Sequence, residues 1–173
     1  QAAPVRLADG DEAIDYGVWW HETMEFTPWL EAEAQIDARW AQRLEEAAAH
    51  GFRARAEAEL LRFKTSAAWA ELRSRRWALS PELAVFSPLE NGEWIDGVID
   101  LLMRDEAGKQ LWIVDWKTNR RRSMEGEEPF KQRLAQEYAP QLRAYGACLN
   151  RILPGWPVRL LVFSSSEGVW FDV

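Results

Sequence analysis

Asp100, Asp115 and Lys117 are the residues whose types and spacing could do chemistry. Asp100 falls late in the apolar stretch Trp94–Met103, and Asp115 falls late in Leu111–Trp116. A lone carboxylate in an apolar strand is costly to bury, and two close together cost more. A divalent cation resolves both problems, because hard oxygen ligands suit Mg²⁺ or Mn²⁺. Such an ion can ionise a water and steady the charge that develops on a phosphate. Lys117, two residues after Asp115, could position that water or stabilise a pentavalent transition state. Taken alone, the three residues describe a surface salt-bridge network at least as well, since an Asp-x-Lys triplet is common by chance.

The elements that must position them are two strands, Trp94 to Met103 and Leu111 to Trp116, joined across Asp105 to Lys109. Side chains on a strand alternate between faces. Ile113, Asp115 and Lys117 therefore share one face, as do Val98 and Asp100. With an even number of loop residues, Asp100 pairs with Ile113 and Asp115 with Val98. The two carboxylates then become diagonal neighbours, with Cβ atoms under roughly 8 Å apart.

Around this hairpin the sequence reads as helices first. Asp11 to Phe26 carries apolar residues at Ile14, Val18, Trp19 and Met24. Thr27-Pro28 reads as a cap for a helix through Trp40 and Leu44 toward Ala49, with Gly51 as its stop. One further helix is expected from Phe52 to Trp77, ended by Ser80-Pro81. Glu82 to Leu89 is short and apolar-rich, and Asn91-Gly92 is a turn signal. Glu127 to Asn150 returns to helical spacing, with Leu134, Tyr138, Gln141, Leu142, Tyr145 and Leu149 at steps of three and four. Val158 to Phe163 and Val169 to Val173 read as final strands around a turn at Ser164 to Gly168. Helices, a three-strand meander, a helix and two strands make a mixed sheet flanked by helices. The expectation is one domain over 1–173, with a helical part at 11–78 and a sheet and helix at 82–173.

The chain has 173 residues, 47% hydrophobic and 28% charged, an ordinary balance for a folded domain. It holds no apolar run near the roughly 20 residues that a membrane span needs. Gln1 to Asp11 is polar and lacks the apolar core of a signal peptide. The chain begins without Met, as a piece of a longer protein would. Its one cysteine, Cys148, excludes an internal disulfide and four-cysteine zinc or iron–sulfur sites. It reads as a buried small hydrophobe in a reducing, cytoplasmic setting. A net charge of −7 argues against nucleic-acid binding, unless a local basic strip is hidden within the acidic total. Most of the eleven tryptophans should be core, and a minority could stack on bases.

Four blocks decide between these readings: Tyr16-Gly17-Val18-Trp19-Trp20-His21, then Gly97 to Leu102, then Ile113 to Thr118, then Tyr138 to Tyr145. In order and spacing they resemble the RecB-like branch of the PD-(D/E)XK nucleases, and in particular the nuclease domains at the C-terminal end of UvrD/AddA-type helicases. The resemblance implies a restriction-endonuclease-like α/β fold with an N-terminal helical extension. It implies an exonuclease that cleaves DNA with Mg²⁺ or Mn²⁺ and acts in end processing, recombination and repair. DNA with a single-stranded end would be its substrate. A helicase motor would lie in the same longer chain or in a partner subunit, since no phosphate-binding P-loop occurs here.

The family's roles fall on particular residues. Asp100 and Asp115 would bind metal, with the backbone carbonyl of Trp116 and with His21 from the first helix. Lys117 would be catalytic. Gln141 and Tyr145 would line the site from one helix face. Glu82 resembles a family acid near the metal, although the proline-phenylalanine pair that usually follows is missing. Arg120, Arg121 and Arg122, directly after the catalytic strand, would contact phosphates. Arg73, Arg75 and Arg76 form a second basic group, and His50 reads as a helix-end residue. Two rival readings stay open: a non-cleaving DNA-binding or scaffold module that keeps the fold, and a plain protein-interaction domain.

Overall fold

The computed structural model describes residues 7–173, with side chains from Gly10 onward. The reading of Gln1–Asp11 as a polar, leaderless segment therefore lies largely outside the described residues. Four helices come first: α1 (Leu7–Glu25), α2 (Glu33–Ala49), α3 (Arg53–Lys64) and α4 (Ala67–Leu72). The strands β1 (Ala78–Pro88), β2 (Trp94–Asp105) and β3 (Gln110–Lys117) follow, then α5 (Glu127–Ile152), β4 (Val158–Ser164) and β5 (Val169–Asp172). One sheet in the order β1-β2-β3-β4-β5 joins all five strands. Its β3–β4 pair is parallel and its other pairs are antiparallel. This is the mixed, helix-flanked α/β sheet that the element order implies.

Each face of the sheet buries its own core. Leu101, Met103, Val114, Trp116, Leu161 and Phe163 pack against the aromatic side chains of α1–α4. Ile99, Leu102, Leu111, Ile113 and Val162 pack against α5. Nearly all the tryptophans serve these cores, and Trp94 alone is exposed.

Three local expectations need correction. Thr27 does not cap α2. It is buried, with its hydroxyl donating to the Thr23 carbonyl and accepting from Trp40 Nε1 at 2.9 Å; α2 starts later, where the Ala32 N–H donates to Gln35 Oε1. The expected helix from Phe52 to Trp77 is broken in two, because Ser66 accepts the Trp69 N–H at 3.2 Å and caps α4. Ser80-Pro81 does not end a helix but lies within β1, an edge strand where a missing N–H is tolerated.

The β1–β2 hairpin also departs from simple alternation. Leu79 and Leu101 face the N-terminal helices, whereas Leu83, Val85 and Ile99 face α5. The faces exchange around Glu82 and Asp100. Glu82 has a left-handed backbone, φ 49°, which is uncommon for a residue with a Cβ. The bracketing pairs Pro81↔Leu101 and Leu83↔Ile99 place it across from Asp100. Regular alternation along β2 thus breaks between Ile99 and Leu101, where the hairpin rolls from one helical layer to the other.

Candidate active site

Asp100 and Asp115 stand where two strands part. The β2–β3 ladder runs from Asp105↔Gln110 to Leu101↔Val114 and stops. Beyond that point β2 stays with β1, and β3 stays with β4. The connecting loop, residues 106–109, is even in number, as the hairpin reasoning requires. The register nevertheless differs by two: Ile113 faces Leu102, not Asp100. One step past the last pair, Asp100 and Asp115 come opposite each other rather than diagonal. At the fork Asp100 Oδ2 accepts the Trp116 backbone N–H at 2.8 Å, so a carboxylate takes the place of a strand carbonyl and holds the gap.

Asp115 is the less satisfied of the two acids. Its side chain is 11% exposed, and Lys117 Nζ lies 2.9 Å from its Oδ2. Apart from this ion pair, the buried oxygen has no hydrogen-bond donor. Burial and then the Asp100 charge push the Asp115 carboxyl well above the usual carboxylate range, with Lys117 opposing. Asp100 moves the other way. Burial would raise it, but the hydrogen bond and charge of His21 and the Trp116 N–H bring it below its ordinary value.

His21 reaches the fork from α1. Its Nδ1 lies 2.8 Å from the Gly17 carbonyl, so that nitrogen carries a proton. Its Nε2 lies 3.1 Å from Asp100 Oδ2. A neutral ring would then turn a lone pair toward a carboxylate, which either a second proton or a cation relieves. Burial lowers the His21 pKa, but the Asp100 contact outweighs it and leaves the ring above its ordinary value. Gly17 also marks where α1 meets the strand end: a Cβ there would make an ordinary 3.4 Å contact with Thr118 Oγ1, just past Lys117. The short span from glycine to histidine is thus a docking point and an orienting carbonyl in one.

From the opposite layer α5 contributes Tyr138, Gln141 and Tyr145, one face of the helix. Gln141 Nε2 donates to Tyr145 Oη at 3.1 Å. Tyr145 is buried against β2, and a Cβ on Gly97 would lie 2.3 Å from its hydroxyl. Only glycine leaves room for the phenol there. The sequence places Tyr138 in the helix spacing and at the head of the fourth block but gives it no role, yet its ring centre lies 4.0 Å from Lys117 Nζ. Its position three residues before Gln141 and seven before Tyr145 carried that signal. Glu82 joins the site's electrostatics as well: burial, Asp100 and Glu25 raise its carboxyl, with His21 opposing.

The arginines divide. Arg121 is held by Glu167 through Nε at 2.8 Å and Nη2 at 2.5 Å. Arg122 donates its backbone N–H to Glu125. Arg73 binds the Trp29 and Glu31 carbonyls, and Arg76 binds Asp105, so those two of the second basic group fasten loops. His50 is the C-cap of α2, and Cys148 is buried.

The donor set at the fork fits a hard divalent cation. It comprises two carboxylates, one with an oxygen that lacks a donor, and an imidazole nitrogen aimed at them. A backbone carbonyl completes it. Lys117 O accepts the Ser165 N–H from the β4 side, so the Trp116 carbonyl, one residue earlier in the strand, faces β2. Among the described residues no three His, Cys, Asp or Glu side chains stand ready-spaced around an ion; His21 and Asp100 touch directly instead. The family model of the PD-(D/E)XK nuclease superfamily matches residues 4–167. No curated protein matches the chain.

Proposed function

Because this chain belongs to the PD-(D/E)XK nuclease superfamily, we propose that it hydrolyses DNA phosphodiester bonds with Mg²⁺ or Mn²⁺. The observation that carries the reading is the fork, where Asp100, Asp115, Lys117 and His21 meet at one strand end. Asp100, Asp115, His21 and the Trp116 carbonyl would hold the ion, which supplies an ionised water and neutralises phosphate charge when bound. Lys117, fixed between Asp115 and the Tyr138 ring, presents an ammonium to the scissile phosphate. Gln141 and Tyr145 line the site from α5 and orient the strand.

The reading extends to a cytoplasmic nuclease domain of a helicase-nuclease, acting as an exonuclease at single-stranded DNA ends in recombination and repair. Four sequence blocks support that setting, because they resemble the RecB-like branch. The exposed, stacked pair Phe86 and Trp94, with ring centres 4.8 Å apart, offers unpaired bases a surface on which to stack. No helix among the described residues is long and apolar enough to cross a membrane.

The test is incubation with end-labelled linear DNA, single- and double-stranded, with Mn²⁺, Mg²⁺ or chelator. Metal-dependent shortening from an end supports the proposal. DNA binding without cleavage under any of these conditions would instead identify a non-cleaving module of this fold.

A further inference from the structure

Two adjoining clefts of about 430 and 370 Å³ open beside the end of β3 and share Arg55 and Arg120 in their walls. Arg62, Arg121 and Glu167 also line the first, and Ile14, Thr118 and Asn119 the second. Two of the four arginines are neutralised in place. Arg55 pairs with buried Glu59 at 3.0 Å, and Arg121 pairs with Glu167. Arg62 and Arg120 remain as exposed cations. Arg62 spends one N–H on the Ser166 carbonyl at 3.2 Å. The Arg120 guanidinium makes no hydrogen bond or ion pair among the described residues. Two uncompensated positive charges thus face one cleft in a chain of net charge −7.

The clefts lie beside the end of the strand that carries Asp115 and Lys117. Thr118, Asn119 and Arg120 follow Lys117 directly. On the other wall Ile14 stands seven residues before His21 on α1, roughly 10 Å along the helix axis. Arg55 and the base of Arg62 are also held in position. Arg55 Nη2 donates to the Thr118 carbonyl at 2.7 Å and so ties α3 to the catalytic strand. Gly168, at φ 68°, brings the β4–β5 turn against Arg62, where any Cβ would come within 2.9 Å of the Arg62 Cβ. A pair of guanidinium groups at a polar cleft suits phosphate oxygens.

We propose that this cleft, with Arg62 and Arg120 as its binding groups, is a second DNA site that holds phosphodiester groups flanking the one that is cut. The proposal rests on the nuclease reading, and its test separates the two. Arg62 and Arg120 are replaced by Ala, singly and together, and by Lys. Binding of a fluorescein-labelled single-stranded oligonucleotide is followed by anisotropy in chelator over a range of salt, and its cleavage is followed with Mn²⁺. Each Ala should lower the log–log salt slope of binding by about 0.7, and the pair by about 1.4. Lys at either position should keep the slope, Arg39→Ala on α2 should leave it unchanged, and melting temperatures should hold. A double Ala variant with an unchanged slope, in a protein that still binds and cuts DNA, overturns this site and leaves the nuclease standing. A Lys variant that loses as much as Ala overturns it too, because packing rather than charge would then be at work. A parent protein that neither binds nor cuts the oligonucleotide overturns both readings.

Discussion

His21 Nε2 meets Asp100 Oδ2 at 3.1 Å while its Nδ1 is committed to the Gly17 carbonyl at 2.8 Å. The ring therefore supports Asp100 from α1, the Trp116 N–H supports it from β3, and the burden of charge repulsion falls on Asp115. That asymmetry sets the first two expectations.

Asp115→Asn should raise the melting temperature of the metal-free protein, because the more crowded charge is removed. Asp100→Asn should lower it, because His21 loses its counter-charge. Both should blunt the rise caused by Mn²⁺. In the parent protein that rise corresponds to about 2.7 kcal/mol at a hundredfold excess over the dissociation constant, or roughly 5–10 °C for a domain of this size. Asp115→Ala should in addition abolish cleavage while DNA affinity is kept or improved. Melts of the parent and the two Asn variants with chelator and with Mn²⁺ check the stability changes, and a cleavage assay checks Asp115→Ala. Equal Mn²⁺ shifts in the parent and in both Asn variants would remove the chemical basis of the assignment.

The pH dependence of the metal-free protein has a definite sign. The folded pKa values of Asp115 and His21 both lie above their ordinary values, so the folded state holds more protons than the unfolded state through the mildly acidic range. Stability should then fall as pH rises from 5.5 to 8. Asp100 acts oppositely, but its depressed pKa confines its effect to more acidic solution. Metal binds the ionised Asp115 and the neutral His21 ring, so below their raised pKa values its affinity should weaken as pH drops, by up to about a hundredfold per unit. Chelator melts and Mn²⁺ titrations at four pH values read both trends, and a metal-free protein that grows more stable toward pH 8 would contradict them.

Gly97→Ala should displace Tyr145, since the new Cβ would overlap the phenol oxygen at 2.3 Å. Overpacking of this kind costs about 1–3 kcal/mol. Loss of the Gln141–Tyr145 hydrogen bond should slow cleavage as well. Tyr145→Phe in the same chain removes the overlapping atom, so the double variant should be more stable than Gly97→Ala alone. Urea denaturation of the three variants decides it, and simple additivity would count against the contact.

Glu59→Ala should be among the most damaging single changes outside the fork. Glu59 is buried and accepts from Tyr16 Oη at 2.8 Å, Ser165 Oγ at 2.6 Å and Arg55 Nε at 3.0 Å. Removing it leaves the Arg55 charge in a poor environment, at about 3–5 kcal/mol. A loss under 1 kcal/mol in urea melts would show that the network reorganises freely.

The order of elements, the two strands bearing Asp100 and Asp115, and the helix bearing Gln141 and Tyr145 were legible in the sequence. Local patterns carry them: period two in an apolar hairpin, steps of three and four along α5, and a turn at Asn91-Gly92. The motif blocks pointed to His21 as well, although nothing local linked it to Asp100, which is 79 residues away. Short-range chemistry overruled the pattern at Ser66, whose hydroxyl captures the Trp69 N–H and splits an expected helix, and at Pro81, which an edge strand accommodates. What only the tertiary structure decided is the relation between the two aspartates. Alternation predicts faces for a regular strand, but β1 and β2 exchange faces at Glu82 and Asp100, and the β2–β3 ladder ends one pair short of them. Register and divergence depend on what each strand packs against, here aromatic helices on one side and α5 on the other. No local window of sequence contains that information.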